Sequence, residues 1–224
     1  MIQKIILGFL IQMAILPACL AQQSNEAAVD YHLPDVMRTE SGKIINTVAD
    51  WERIRRPEIT ALFEENVQGK TPVKHIPLRF VSMSVSHHAL NGTATRKQVR
   101  VYFSRDGKYY MDILLYLPNK RNKPAPMFVG LNFGGNQVVN ADTGILISKR
   151  WVKYAPEPAY KDHLATAASR GIQSNDWCIE KIIAAGYGVA TVYYGDLQPD
   201  SANSVNAGVA PLFYKKGQKE PAAD

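Results

Sequence analysis

Two apolar segments, each ending in a glycine-marked loop, constrain this sequence more than any other feature. They read Gly130-Leu-Asn-Phe-Gly-Gly-Asn136 and Gly186-Tyr-Gly-Val-Ala-Thr-Val-Tyr-Tyr-Gly-Asp196. Short, nearly continuous apolar runs are typical of strands that are buried on both faces of a parallel sheet. The sequence therefore predicts two such strands, over 127–132 and 189–194, each followed by a loop at its carboxyl end.

The stretch between these strands predicts the helix that joins them. Ile179, Ile182 and Ile183 fall on one face of a helix over 177–185, and Gly186 follows in a position where glycine commonly ends a helix. Together the two strands and the helix predict a βαβ unit of a parallel sheet.

The region before this unit predicts an antiparallel meander. Strand candidates over 78–85, 95–103 and 109–117 are rich in β-branched and aromatic residues. Asn91-Gly92 and Asp106-Gly107 separate them, and both pairs favour hairpin turns. A helix is predicted from residue 51 onward, with either a break or a division into two short helices at Pro57. Residues 22–50 are polar and predict an extended N-terminal arm.

Residues 1–21 predict a signal peptide. Lys4 supplies a positive charge, 5–15 is largely apolar, and Cys19-Leu-Ala21 is a small-residue cleavage site. The apolar run is too short for a comfortable membrane span. Leu16-Pro-Ala-Cys19 also fits a lipobox, which would place a lipid on Cys19. Both interpretations predict an exported protein, either periplasmic or extracellular, or lipid-anchored at the outer surface.

Charge and histidine patterns exclude two classes of function. The formal net charge is +6, but no basic stripe is interleaved with aromatic residues, so nucleic acid is not an expected partner. His87 and His88 are neighbours on a predicted strand and point to opposite faces, so they do not share a metal ion. The sequence predicts no metal and no cofactor.

The loop after the first strand carries the candidate site, because ligands bind beyond the carboxyl ends of parallel strands. Backbone N–H groups of glycines approach a ligand closely and stabilise an oxyanion, as in the α/β-hydrolases. The cleft and oxyanion-side candidates are Asn132, Phe133, Gly134, Gly135 and Asn136. A tight turn that needs glycine only for its dihedral angles is the alternative.

No residue of the chain is assigned a catalytic role. The sequence contains no G-x-S-x-G nucleophile elbow, so a Ser-His-Asp triad is not identifiable. Asp196 and Asp200 are either acid/base residues or, more commonly for aspartates beside a proline, turn formers and helix caps.

Several motifs, in the same order along the chain, resemble those of bacterial carbohydrate esterase family 15, the glucuronoyl esterases. The similarity extends over nearly all of residues 30–217. It is carried by Asp50–Gly69, Gly130–Asn136, Ser169-Arg-Gly171 with Trp177, Gly186–Asp200, and Pro211-Leu-Phe-Tyr214 with Gly217. The chain departs from the family pattern at Gln137, where His is expected, and at Asn175-Asp176, where Ser-Arg is usual.

The resemblance implies a secreted serine esterase with an α/β-hydrolase fold and no metal. Its substrate would be the ester that joins glucuronic acid of xylan to lignin alcohols. It also implies an elbow of the type Gly-(Cys/His)-Ser-Arg-x-Gly-Lys, which these 224 residues lack. Residues 51–224 are therefore expected to be the N-terminal part of an α/β-hydrolase domain, with antiparallel strands and the first βαβ unit, truncated before the elbow and inactive alone.

Two further expectations concern partners. Without neighbouring strands, 189–194 is expected to form an apolar sheet edge through which the chain self-associates. The alternative to an esterase is a non-catalytic carbohydrate-binding or interaction module, in which Trp151, Tyr154 and Tyr160 stack on sugars. The same three side chains would otherwise pack the long excursion over 136–165.

Overall fold

The computed structural model describes residues 33–202 and 204–221. The predicted signal peptide over 1–21, the lipobox at Cys19 and the first part of the predicted arm lie outside the described residues. The chain divides into two compact units, Met1–Phe63 and Glu64–Asp224. In the described part of the chain, no helix is long and apolar enough to cross a membrane.

The described part of the first unit is an arm followed by a helical segment. Thr47 caps this segment, because its side-chain oxygen accepts the backbone N–H of Asp50 at 3.0 Å. The segment consists of α1 (Val48–Asp50), a π-helical turn (Trp51–Arg55) and α2 (Arg56–Phe63). The helical segment is divided directly before Pro57, where the π-helical turn ends at Arg55 and α2 begins at Arg56. The wider π-helical turn directly before Pro57 displaces the carbonyl that a proline ring would meet in a regular helix.

The second unit starts with a π-helical turn (Glu64–Gln68) and continues into the predicted meander. Its strands are β1 (Arg79–Ala89), β2 (Ala94–Tyr102) and β3 (Tyr110–Pro118), paired antiparallel in sequence. The first turn contains Asn91 and Gly92 with φ of 55° and 83°, and the second contains Gly107 with φ of 74°. Both turn predictions are confirmed, because these dipeptides tolerate the left-handed conformation that the turns require.

The parallel strands lie beside this meander. The remaining strands are β4 (Met127–Asn132), β5 (Tyr160–Lys161), β6 (Leu164–Ala165) and β7 (Gly188–Tyr193). β4 and β7 are parallel neighbours, and β7 also pairs antiparallel with β3. The order of the main sheet is therefore β1-β2-β3-β7-β4, while β5 and β6 form a separate two-stranded sheet.

Two short helices connect the parallel strands where one was predicted. They are α3 (Ser174–Trp177) and α4 (Ile179–Ala184). Cys178 separates them because its φ is 45°, in the left-handed region, and its thiol donates to the carbonyl of Asn175 at 2.9 Å. Gly186 ends α4 as predicted, with φ of 85° and its N–H on the carbonyl of Ile183. Single 3-10 turns are Asn136–Val139, Ala167–Ser169, Tyr194–Asp196, Val205–Ala207 and Ala210–Phe213.

The edge strands of the main sheet are β1 and β4, and the strand over 189–194 is not one of them. β7 is bonded on both sides, to β3 and to β4, so the prediction that it forms an edge is wrong. β7 pairs with β3, which lies far earlier in the chain, and the residue pattern within β7 gives no sign of this long-range pairing. On β4, Val129 is 81% exposed and Phe128 is 57% exposed. An apolar edge of this kind favours pairing with another chain.

The core of the second unit lies between the sheet and the segments that cross it. α4 contributes Ile179 and Ile183, and the sheet contributes Leu114, Tyr116 and Tyr193. The excursion over 136–165 contributes a further set, which comprises Val138, Val139, Ile145, Val152, Ala159 and Tyr160. The excursion is therefore part of the hydrophobic core, although it contains little regular structure.

Candidate functional site

The two glycine-marked loops meet at the carboxyl ends of β4 and β7. Asn132 is in register with Tyr193, so the residues that follow each strand are neighbours. The rings of Phe133 and Tyr194 contact each other, with centroids 5.1 Å apart. Phe133 is 69% exposed, in contrast to the residues on either side of it. This edge of the sheet is where ligands of open α/β sheets bind.

Steric crowding leaves no room for a side chain at either glycine of the first loop. Gly135 has φ of 97°, which side chains rarely adopt, and a Cβ there would lie 2.9 Å from Cβ of Ser148. A Cβ on Gly134 would lie 2.5 Å from the hydroxyl of Tyr160 and 2.9 Å from a methyl group of Val138. The loop therefore has a single close-packed shape that any larger residue would change.

Hydrogen bonds from the side chain of Asn132 fix the conformation of this loop. Its side-chain carbonyl accepts the N–H of Gly135 at 2.9 Å, and its amide donates to Asn136 Oδ1 at 2.7 Å and to Thr191 Oγ1 at 3.1 Å. Asn132 is 1% exposed, so these hydrogen bonds are shielded from water. Asn136 continues the chain of hydrogen bonds by donating to the carbonyl of Asp112 at 2.7 Å.

The carbonyl of Gly134 is fixed from the other side by Gln137 and Tyr160. The Gln137 amide donates to it at 2.9 Å, and the Tyr160 hydroxyl donates at 3.0 Å. Gln137 is fully buried and its side-chain carbonyl also accepts the N–H of Ser148. The N–H of Gly134 donates to no residue that the structure describes. This backbone donor therefore has no partner among the described residues.

Asp196 lies behind the second loop as a buried carboxyl group. One of its oxygens accepts the N–H of Asp112 at 2.9 Å, and the other lies 3.7 Å from Nε of Arg150. Burial raises the pKa of Asp196 to about 7. Asp200, the other sequence candidate, is exposed and pairs with Lys153 at 3.0 Å. Only the first aspartate therefore has an unusual environment.

The aromatic trio that suggested sugar stacking does not form one surface. Tyr160 is 3% exposed and packs in the core, where its hydroxyl holds Gly134. Tyr154 is 82% exposed, and Trp151 is half-buried with its ring stacked on His163. Three separate environments thus replace the proposed platform, although Trp151 lines a pocket considered below.

Histidine and cysteine residues supply no metal centre among 33–202 and 204–221. No group of three or more His, Cys, Asp or Glu side chains in these residues is placed to hold a metal ion. His87 lies on β1 and its ring contacts the hydroxyl of Thr95 at 3.2 Å, while His163 contacts the carbonyl of Val152 at 2.8 Å. Both rings are therefore engaged with neighbouring polar groups of the fold.

Sequence reasoning selected the loop but missed the residues that shape it. Gln137 stood out only as a departure from a family pattern, and Asp112 carried no signal in the middle of a predicted strand. Both act over distances that no local pattern encodes. The assignment of Asn132 to Asn136 as cleft residues stays a prediction, because four of the five are buried and no ligand contact is described.

Comparison with known proteins shows that the chain is similar to carbohydrate esterases. The chain is 38% identical over 199 residues to a carbohydrate esterase from an unknown prokaryotic organism, covering 88% of this chain and 46% of that protein. A solved glucuronoyl esterase from Solibacter usitatus is 41% identical with a TM-score of 0.78, over 86% of this chain and 48% of that chain.

The chain resembles esterases of carbohydrate esterase family 15 in sequence and in fold. A promiscuous family 15 esterase from a marine bacterial metagenome is also similar, with 38% identity and a TM-score of 0.71 over 85% of this chain and 47% of that chain. The resemblance predicted from the motifs and the partial α/β-hydrolase fold are both confirmed. The chain spans about half the length of these family 15 relatives. No model of a protein family matches it.

Proposed function

We propose that this chain supplies the oxyanion side of a serine carboxylester hydrolase site that acts on glucuronoyl esters of xylan. The observation that carries the proposal is the glycine loop after β4, which leaves the Gly134 N–H without a described partner. A donor held rigidly at that place stabilises negative charge on an ester oxygen as the acyl group is transferred. The similarity to a glucuronoyl esterase from Solibacter usitatus supports the substrate class.

The loop alone does not complete such a site. Ester cleavage by this chemistry needs a nucleophile activated by a base, and no G-x-S-x-G elbow occurs in the 224 residues. We therefore expect these 224 residues, by themselves, not to hydrolyse methyl glucuronate. Saturable turnover that co-purifies with the isolated chain would contradict this part of the proposal.

A chimera tests the proposed role of the loop directly. Residues 33–221 replace the matching part of the Solibacter usitatus esterase, which keeps its own nucleophile. We expect the chimera to hydrolyse methyl glucuronate. In this chimera Gly135→Ala should lower kcat, because the crowded Cβ forces the loop to shift and so displaces the neighbouring Gly134 N–H. Loss of one oxyanion donor usually lowers kcat by about 10²–10³-fold.

A matched glycine variant separates the loop from general strain. Gly92 also has positive φ but meets no atom within 4 Å, and it lies in the exposed β1–β2 turn. Gly92→Ala in the chimera should leave kcat within a few-fold of the parent. Each variant is assayed below its own melting temperature. Equal losses for Gly92→Ala and Gly135→Ala, or a folded chimera with no hydrolysis, would overturn the proposal.

Export is part of the same proposal, because polysaccharide esters lie outside the cell. We propose that residues 1–21 direct secretion and that the mature chain starts at Gln22. Mass spectrometry of the protein recovered from the expressing culture tests this. A mature N-terminus at a lipid-modified Cys19 would favour the lipobox interpretation, and an intact Met1 would contradict both.

A further inference from the structure

A pocket of about 280 Å³ lies beside the loop that follows β7. Its walls come from the β2–β3 turn, from the excursion before Trp151 and from the loop after β7. Residues from these three segments that matter here are Lys108, Tyr109, Lys149, Arg150, Trp151 and Asp196. None of the glycine-loop residues lines this pocket, although both lie beyond the carboxyl ends of parallel strands.

The charge of the pocket is not balanced by its own residues. Asp196 is already occupied, because one carboxylate oxygen accepts the Asp112 N–H and the other faces Arg150. Lys108 and Lys149 form no ion pair with any residue that the structure describes. Two lysines without an acidic partner line the same concavity, and a cleft lined by charge of one sign attracts an anion.

Two aromatic residues, Tyr109 and Trp151, belong to the lining of the pocket. Trp151 is held by its stacked contact with His163, with ring centroids 4.8 Å apart and planes 22° apart. Tyr109 lines the pocket as well, and Nζ of Lys108 lies 4.9 Å from the centre of its ring. Rigid aromatic faces bury the apolar side of a ring-shaped ligand at little entropic cost.

We propose that this pocket binds an unesterified sugar acid. Lys108 and Lys149 would receive the carboxylate, and Trp151 would pack against the sugar ring. An ester of the same sugar carries no charge, so the pocket selects against the molecule that the glycine loop is proposed to act on. The inference depends on the pocket alone, and binding is measured without any hydrolysis, so it stands or falls separately from the proposed esterase function.

Equilibrium titrations of the folded chain test the ligand class. Glucuronate, glucose and acetate are each added while tryptophan fluorescence and heat of binding are recorded at low salt. We expect saturable binding of glucuronate, with glucose and acetate each weaker by roughly tenfold or more, because each lacks one of the two recognised parts. Equal affinity for glucose, acetate as tight as glucuronate, or no glucuronate binding would each overturn the proposal.

Variants test the position of the site. Lys149→Ala and Lys108→Ala should each weaken glucuronate binding by roughly tenfold, the usual effect of losing a charge-assisted contact. Lys149→Arg should retain most of the affinity. Lys123→Ala, an exposed lysine in the connection before β4, is the matched control and should have no effect. A Lys123→Ala effect as large as that of Lys149→Ala would contradict the location.

A measurement on the unmodified chain guards against variants that do not fold. Binding through two exposed ammonium groups weakens as salt screens them. Glucuronate affinity should therefore fall several-fold between about 20 mM and 500 mM NaCl, while any weak glucose binding stays constant. A salt-independent affinity for glucuronate would contradict a role for the lysines.

Discussion

The carboxylate of Asp196 accepts the backbone N–H of Asp112 at 2.9 Å and so joins the loop after β7 to the start of β3. The carbonyl of Asp112 in turn accepts the side-chain amide of Asn136 at 2.7 Å. One residue of β3 therefore lies between the buried carboxylate and the glycine loop. Asn136 and Asn132 complete the connection to the N–H of Gly135.

Replacing Asp196 by Asn should stabilise the chain at alkaline pH. The pKa of Asp196 is raised to about 7 by burial, above its ordinary value of 3.8. The stability that this group contributes is thus fully present below about pH 4 and is lost as the pH rises through about 7. Asp196→Asn should raise the free energy of unfolding by up to about 4 kcal/mol at pH 8.5 and change it little at pH 4.

Urea unfolding of both proteins at pH 4, 6 and 8.5 measures this difference. Asp200→Asn is the control, because Asp200 is exposed and its replacement should shift the free energy of unfolding by less than about 0.5 kcal/mol. A difference between Asp196→Asn and the parent that does not change with pH would show that Asp196 is not the titrating group.

Gly135→Ala should destabilise the isolated chain more than Gly92→Ala. Both substitutions place a side chain at positive φ, which costs about 1–2 kcal/mol, but only the Gly135 site is crowded. Overpacking adds about 1–3 kcal/mol. Thermal melting of the two variants compares them directly. Equal melting temperatures would mean that the loop accommodates the added methyl group at no cost in stability.

Asn132→Ala should loosen the glycine loop without unfolding the sheet. The change leaves the Gly135 N–H, the Thr191 hydroxyl and the Asn136 side-chain carbonyl without their partner, and each unsatisfied buried group costs about 1–3 kcal/mol. Hydrogen exchange at the Gly135 amide should become faster by a factor of ten or more, while amides of β2 stay protected. Unchanged exchange at Gly135 would contradict the role given to Asn132.

Val129→Lys should reduce self-association of the chain. Val129 lies on the edge strand β4 and is 81% exposed, so a lysine there disturbs no packing and opposes edge-to-edge pairing. Light scattering after size-exclusion chromatography should show a larger monomer fraction. Val73→Lys, at a position 94% exposed and outside the strands, should have no such effect. If both lysines act alike, added charge rather than the edge controls solubility.

Local patterns predicted the strands well because the information lies within a few residues. Asn91-Gly92 and Asp106-Gly107 fixed two turns through their own dihedral preferences, and β4 was predicted with the bounds that it has. The position of β7 inside the sheet was missed, because strand order depends on a pairing with β3 more than 70 residues earlier in the chain. The periodicity of apolar residues within a strand carries no information about which strand it pairs with.

The candidate site divides in the same way. Gly134 and Gly135 were recognised from composition, since few other residues fit such a turn. For Tyr160 the sequence left sugar stacking and packing of the excursion open. The residue packs in the core, and its hydroxyl donates to the carbonyl of Gly134, 26 residues away in the sequence. Cys178 was expected inside a continuous helix. The residues around it do not predict the left-handed conformation that divides α3 from α4.

The glycine loop is shaped by residues that follow it. The hydroxyl of Tyr160 donates to the carbonyl of Gly134, and the backbone N–H of Ser148 donates to the side-chain carbonyl of Gln137. The backbone carbonyl of Gln137 accepts the N–H of Gly171. During synthesis the chain emerges from the ribosome in order, so the loop appears well before these partners. Because Asn132 also donates to Thr191, the contacts that fix the loop are complete only after Thr191 has been translated.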